Sequence, residues 1–223
     1  MRKGKDSMAG IMLKDLKEAF CLRKNTIAWI FSIIVYLILV AVMPTMYVYV
    51  LCVTVMFPMI GVSILQYSNE QDEISKFDKI MLTYPITKKE IILSKYLSGM
   101  LLQAVVFLLD FIMALVFSFG YKVIDFSTAM GFWFVGIIFS FLFMAINYMM
   151  FMWLGNKKGM IMYVIFILIL AVVYIVTYYN VDVVSLFSMN RIVLLVIGFA
   201  LSILAVVGSY FASVKIYTRK HIK

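Results

Sequence analysis

The sequence predicts an all-α integral membrane protein with six transmembrane helices, and three observations carry that expectation. Hydrophobic residues make up 65% of the 223 positions, against about 45–50% in soluble domains, and the mean hydropathy is +1.05. The apolar residues fall into runs of the length that crosses a bilayer, about 20 residues each. The basic residues, finally, cluster in alternate gaps between those runs.

The spans can be justified in chain order. Residues Ile27 to Gln66 are apolar apart from "MPT" at Met43–Thr45. One straight helix of that length would reach about 60 Å, twice the hydrocarbon thickness, so the run must fold into two spans turning at Pro44. Pro58 lies inside the second span and predicts a kink, because it removes a backbone hydrogen bond. The third span is "IILSKYLSGMLLQAVVFLLDFIMALVFSF" and the fourth "AMGFWFVGIIFSFLFMAINYMMFMW". "MIMYVIFILILAVVYIVTYY" and "IVLLVIGFALSILAVVGSYFASV" make the fifth and sixth.

Charge then sets the orientation. Of the 20 Lys and Arg residues, 18 fall on one predicted side and only Lys122 and Arg191 on the other. The positive-inside rule puts the basic side, and with it both termini, in the cytoplasm. Trp29 and Trp153 fall near predicted cytoplasmic span ends and Trp133 near an outer one, where amphipathic rings favour the headgroup zone. Basic flanks of this kind account for the +9 net charge without a nucleic-acid partner. No cleaved signal is expected, since the first apolar run starts late and no small-residue cleavage site follows it. Cys21 and Cys52 lie in a charged and an apolar setting respectively, so no disulfide is expected. The lone His221 offers no metal site.

Two polar segments stand apart. Before the first span, residues 7–24 place Met12, Leu16, Ala19 and Phe20 on one side, the pattern of an interfacial helix lying on the inner leaflet. Between the second and third spans, residues 69–86 predict a short amphipathic helix with Ile74, Phe77, Ile80 and Met81 as its apolar positions. Pro85 stops that helix at Tyr84. Thr87 and Glu90 then form a capping box, with Ile86 and Ile91 at the staple positions, and start the third span. From Lys88 to Phe119 this rod would be about 48 Å long, leaving its first turns outside the hydrocarbon with Lys95 snorkelling to the interface.

The run "FDKIMLTYPITKKEIILSKYL", behind an acidic helix, resembles the cytoplasmic loop of six-span permease subunits of type-two class bacterial ABC exporters. It is similar in particular to the small permeases that include the phenol-soluble modulin exporter of staphylococci. The hydropathy likeness covers the whole chain, read as a single transmembrane domain over 1–223; the motif likeness covers about Glu70 to Tyr96. The resemblance implies a coupling helix that docks on a separate ATPase subunit. Carried over by position, Glu73, Phe77, Asp78 and Lys79 would contact the ATPase, and Tyr84 and Pro85 would set the bend. The family's connecting helix corresponds to residues 7–24. The resemblance further implies a second permease copy, a homodimer or a related heterodimer. It implies a place in the bacterial cytoplasmic membrane, and a peptide or other amphipathic cargo.

The residues themselves exclude several alternatives. No G-x-x-x-x-G-K-[ST] phosphate loop occurs, so ATP and Mg would have to be bound by a partner and the chain is not expected to be an enzyme. No paired catalytic groups lie within the spans, which argues against an intramembrane protease. A membrane substrate-binding component of a vitamin uptake system is the alternative reading, although the first span offers few small residues for docking. Inside the spans, Asp110 is the one acid. A charge at mid-bilayer costs about 2.5–3.5 kcal/mol, so Asp110 should face the bundle interior. Gln103 lies on the same face, and Asn147 of the fourth span is expected at Gln103's depth. The three form either a strip along a translocation path or subunit seam, or interhelical hydrogen bonds that set packing. Gly131, Gly136 and the Ser94–Gly99 stretch permit close helix approach.

Overall fold

In the computed structural model, residues 2–81, 83, 86–180 and 191–220 are described, with side chains omitted at 2–7, 78, 79, 177–180 and 191. Every regular element among them is helical. α1 (Arg2–Cys21) and α2 (Arg23–Val42) are separated only by the extended Leu22. The chain turns at Met43–Thr45, as the proline there predicts, and Thr45 caps α3 (Met46–Leu51) by accepting from Val48 N. Cys52–Met56 winds as a π-helix and runs into α4 (Phe57–Ser75).

That π-turn is where the structure departs from a simple proline kink. Phe57 N–H reaches back to the Cys52 carbonyl, five residues away. The wider turn comes immediately before Pro58, which has no N–H to give. The irregularity thus falls N-terminal to the proline, and the helix continues through it.

α4 ends at Lys76, whose φ of 54° puts a non-glycine residue in the left-handed region. α5 is the five-residue Phe77–Met81. The amphipathic helix expected over residues 69–86 is therefore two pieces. Residues 69–75 are the last turns of the second span, and only 77–81 form a separate helix. The break separates Ile74, which is 67% exposed, from Met81, which is buried. α6 (Lys88–Leu115) continues into a second π-turn, Val116–Gly120. Its start is the capping box expected: Thr87 Oγ1 accepts from Glu90 N at 3.3 Å, and Thr87 N donates to Glu90 Oε2 at 2.8 Å. Ile91 is fully buried, with Ile86 packed on the same cluster.

α7 spans Phe126–Asn180 in name only. At Gly155 the backbone takes φ 76° and ψ 179°, a region open in practice to glycine alone. The two arms then fold back on each other. The rings of Phe143 and Phe166 stand 5.5 Å apart and those of Phe151 and Tyr163 6.4 Å apart. In a straight helix the first pair would be separated by about 34 Å. α8 (Arg191–Lys220) packs along this hairpin.

Five helices among the described residues are long and apolar enough to cross a membrane, α7 counted once. Large apolar side chains face outward along α2, the second arm of α7 and α8. Two buried clusters stack along the bundle. One joins Ile11, Leu65, Ile91, Tyr96, Tyr148 and Tyr217, and the other Tyr36, Tyr49, Val53, Phe117 and Phe132. Small residues let helices close at two of the sites expected. A Cβ on Gly136 would stand 2.7 Å from the Val53 carbonyl, and one on Gly99 would strike the Tyr148 hydroxyl; Gly131 faces open space.

Candidate functional site

The basic segments converge at one end of the bundle. α1, the end of α4, the start of α6, the α7 hairpin tip and the end of α8 all meet there, and Asp72 lies at the centre. Its carboxylate pairs with Lys95 of α6 at 2.7 Å, both side chains being at most 2% exposed. It also pairs with Lys14 of α1. Lys95 Nζ donates to Ser68 Oγ at 2.8 Å, and Ser68 Oγ donates to Asp15 Oδ1 at 2.7 Å. Lys14 further bridges to Glu18 at 3.0 Å and lies 4.4 Å from the centre of the Phe77 ring. Burial raises the Glu18 carboxyl above its ordinary range, against the opposing pull of Lys14. At the rim Lys24 pairs with Glu70 at 2.5 Å.

This cluster corrects one sequence expectation and adds to another. Lys95 does not snorkel to the interface. It is 3% exposed, because a buried carboxylate one helix away satisfies its charge better than a long reach to water. α1, for its part, turns Ala19 inward, one of the four residues (Met12, Leu16, Ala19 and Phe20) expected to meet lipid. It buries Ile11, Asp15 and Ala19 against α4 and α6, while Phe20 is 44% exposed and stacks on Trp29. The signal available in the sequence was the i, i+4 spacing of Ile11, Asp15 and Ala19. An acid in that stripe hid it.

The residues proposed for ATPase docking part company. Phe77 is half-buried beneath Lys14. Glu73 Oε1 accepts from the backbone N–H of Asn156 at 3.0 Å, so it caps the second arm of α7 from another helix. A Cβ on Gly155 would stand 3.7 Å from that oxygen and 3.8 Å from Lys220 Nζ. The side chains of Asp78 and Lys79, and all of Tyr84 and Pro85, lie outside the described residues. Adjacent acids thus hold three helices: Asp72 holds α1 and α6, and Glu73 holds α7.

Gln103, Asp110 and Asn147 are all buried. No hydrogen bond among the described residues joins them. Gln103 Nε2 donates to the Pro58 carbonyl at 3.4 Å, over the surface that Gly61 leaves open. Asn147 Nδ2 donates to Phe143 O of its own helix at 2.8 Å. Ring contacts of Phe107 with Phe141 and of Phe111 with Trp133 set the α6–α7 register. By those two contacts Asn147 lies about two to six residues, roughly 3–9 Å, nearer the basic end than the level of Gln103. Asp110 is fully buried, and neither carboxylate oxygen has a hydrogen-bond partner. It lies within electrostatic reach of Tyr36, Tyr49 and Cys52. Gln103, Asn147 and Tyr148 each also keep a side-chain oxygen unpaired in the interior.

Residues 10–218 match the family described as ABC-2 family transporter protein. The chain belongs to the ABC-2 transporter family. No curated relative and no solved structure matches it. Membership makes the protein a permease component of an ABC transporter and a multi-pass membrane protein, and a bacterial membrane fits the family. An ABC-2 permease implies an ATPase partner; the ionic cluster at the basic end ties α1, α4 and α6 to one another.

Proposed function

We propose that this ABC-2 permease is the membrane subunit of an ATP-driven exporter and crosses the bilayer six times with its basic end in the cytoplasm. The hairpin at Gly155 supports six crossings, since it divides α7 into two arms of spanning length. The gathering of the basic segments at one end agrees with the charge count. A separate ATPase subunit binds ATP and Mg and docks at the α4–α6 junction through residues 69–86, with Asp78, Lys79, Tyr84 and Pro85 at the contact. Glu73 and Phe77 stand just behind it as transmitters, because each already holds a neighbouring helix. Two permease copies enclose the path, and Gln103, Asp110 and Asn147, buried within each copy, come onto its wall or seam when the helices around them part. The cargo is an amphipathic peptide, as the likeness to the modulin-exporting permeases suggests.

The observation that carries this reading is the Asp72–Glu73 step, where one short segment beside the docking loop grips α1, α6 and α7 at once. The family match gives no support to the vitamin-uptake alternative. The test is export of an amphipathic peptide from vesicles holding this chain and the ABC ATPase that co-purifies with it. Phe77→Ala and Asp78→Ala should keep the ATPase bound and hydrolysing while export falls by about tenfold or more, a loss of about 1.4 kcal/mol in coupling. Normal export by both variants would remove the docking assignment.

A further inference from the structure

A pocket of about 220 Å³ opens between α2, α4 and the second arm of α7, lined by Trp29, Ser32, Met59, Ile60, Ser63, Gln66, Tyr67 and Tyr163. Its volume is below the 300–1,000 Å³ of ordinary small-molecule sites, and one of its walls is α2. Between Asn25 and Tyr36 no residue of α2 is fully buried; Trp29 reaches in to Phe20 and Tyr67, and beyond it the helix stands off from α4 and the pocket is the gap. Polar groups line it at the end nearer the charged rim. Gln66, Tyr67 and Tyr163 make no side-chain hydrogen bond among the described residues, and the shielded Trp29 Nε1 has no partner either. Ser32 and Ser63 donate to carbonyls of their own helices, Ala28 at 2.9 Å and Ile60 at 2.8 Å, and keep lone pairs free. The deeper end is apolar, formed by Met59 and Ile60.

Depth fixes the chemistry of an occupant. Trp29 lies five residues, about 7–8 Å, inward of Lys24 along α2, and Lys24 is held by Glu70 at the rim. Donors at that level lie at the edge of the hydrocarbon, short of water, and call for something that supplies acceptors. Among the described residues no unpaired cation lines the pocket to select a phosphate, whereas the Tyr67 and Tyr163 hydroxyls, the Gln66 amide and the Trp29 N–H can each donate to a carbonyl oxygen. We propose that this pocket binds the glycerol-ester portion of an inner-leaflet phospholipid, with one acyl chain running past Met59 and Ile60. The lipid fills the gap and holds α2 against α4.

The test uses the full chain in detergent with Trp133→Phe and Trp153→Phe, so that Trp29 is the sole indole. Phosphatidylglycerol carrying brominated acyl chains is titrated in, and Trp29 emission is read. Quenching should saturate near one lipid per chain. Tyr163→Phe, which removes one oxygen and no packing, should raise the half-saturating concentration about fivefold, the effect of one net hydrogen bond. Ser63→Phe, which fills the pocket from α4, should abolish the saturable phase. Non-saturating quenching, or curves identical in all three proteins, would overturn the proposal. So would relief of the quenching by an unbrominated amphipathic helical peptide, since the occupant would then be peptide and not lipid. Failure of export in the coupling variants leaves this result untouched.

Discussion

At the scale of single residues, backbone torsion and buried charge decide most of what can be tested. Gly155 is held at φ 76° and ψ 179° with no atom closer than 3.7 Å to a Cβ position. Gly155→Ala should therefore fail by torsion and not by collision, costing about 1–3 kcal/mol. Its melting temperature in detergent should fall, with Asn156→Ala as a comparison that leaves the turn's φ unchanged. Lys76 shows the converse case, a side chain standing where glycine is favoured. Lys76→Gly should relieve about 1 kcal/mol of left-handed strain, offset in part by the entropy of the unfolded glycine. A higher melting temperature, or an unchanged one, fits; a drop beyond a few degrees does not. Neither position could be read beforehand, because both depend on where a helix ends, and a helix end is set by what the last turn packs against.

At the scale of elements, the ionic cluster is a joint between helices. Asp72→Asn leaves Lys95 buried beside Ser68 without its counter-charge, and breaking a buried pair in this way costs about 3–5 kcal/mol. Replacing both partners, Asp72→Leu with Lys95→Met, should recover most of that stability, because two desolvated charges vanish together. Thermal unfolding of the two proteins side by side checks this. The double variant should fold and still lose export, since α1 and α6 are then no longer tied to the docking segment. Normal export by a stable double variant would mean that the cluster only holds the helices together. The capping box at Thr87 and Glu90 was legible in the sequence because both partners lie within one turn. The joint was not, because Lys14, Asp72 and Lys95 are far apart along the chain and only packing brings them within hydrogen-bonding distance.

At the scale of the whole molecule, the exposed apolar faces of α2, α8 and the second arm of α7 mark a body solvated by lipid on most sides, with most of its charged groups held inside or at one end. Asp110 is the sharpest interior case, its two oxygens unpartnered. If it serves packing alone, Asp110→Leu should stabilise the bundle, because the cost of about 2.5–3.5 kcal/mol for an acid at mid-bilayer disappears. If it lines the path or a subunit seam, that variant should be at least as stable yet fail to export. Measuring both quantities on one preparation separates the two cases, and loss of stability in Asp110→Leu would contradict both.

The sequence alone determined the membrane class, the turn at Pro44, the start of the third span and the asymmetry of charge, because each follows from local composition or from partners within a turn or two. It also carried the family likeness that the match over residues 10–218 bears out at the level of the ABC-2 permeases. Only the tertiary structure decided that Lys95 is buried, that α1 docks through Ile11, Asp15 and Ala19, and that Glu73 caps a distant helix. The physical reason is common to all three. A charge or amide inside a membrane protein goes where a partner is within about 3 Å, and which partner that is depends on the register of neighbouring helices, which hydropathy does not encode.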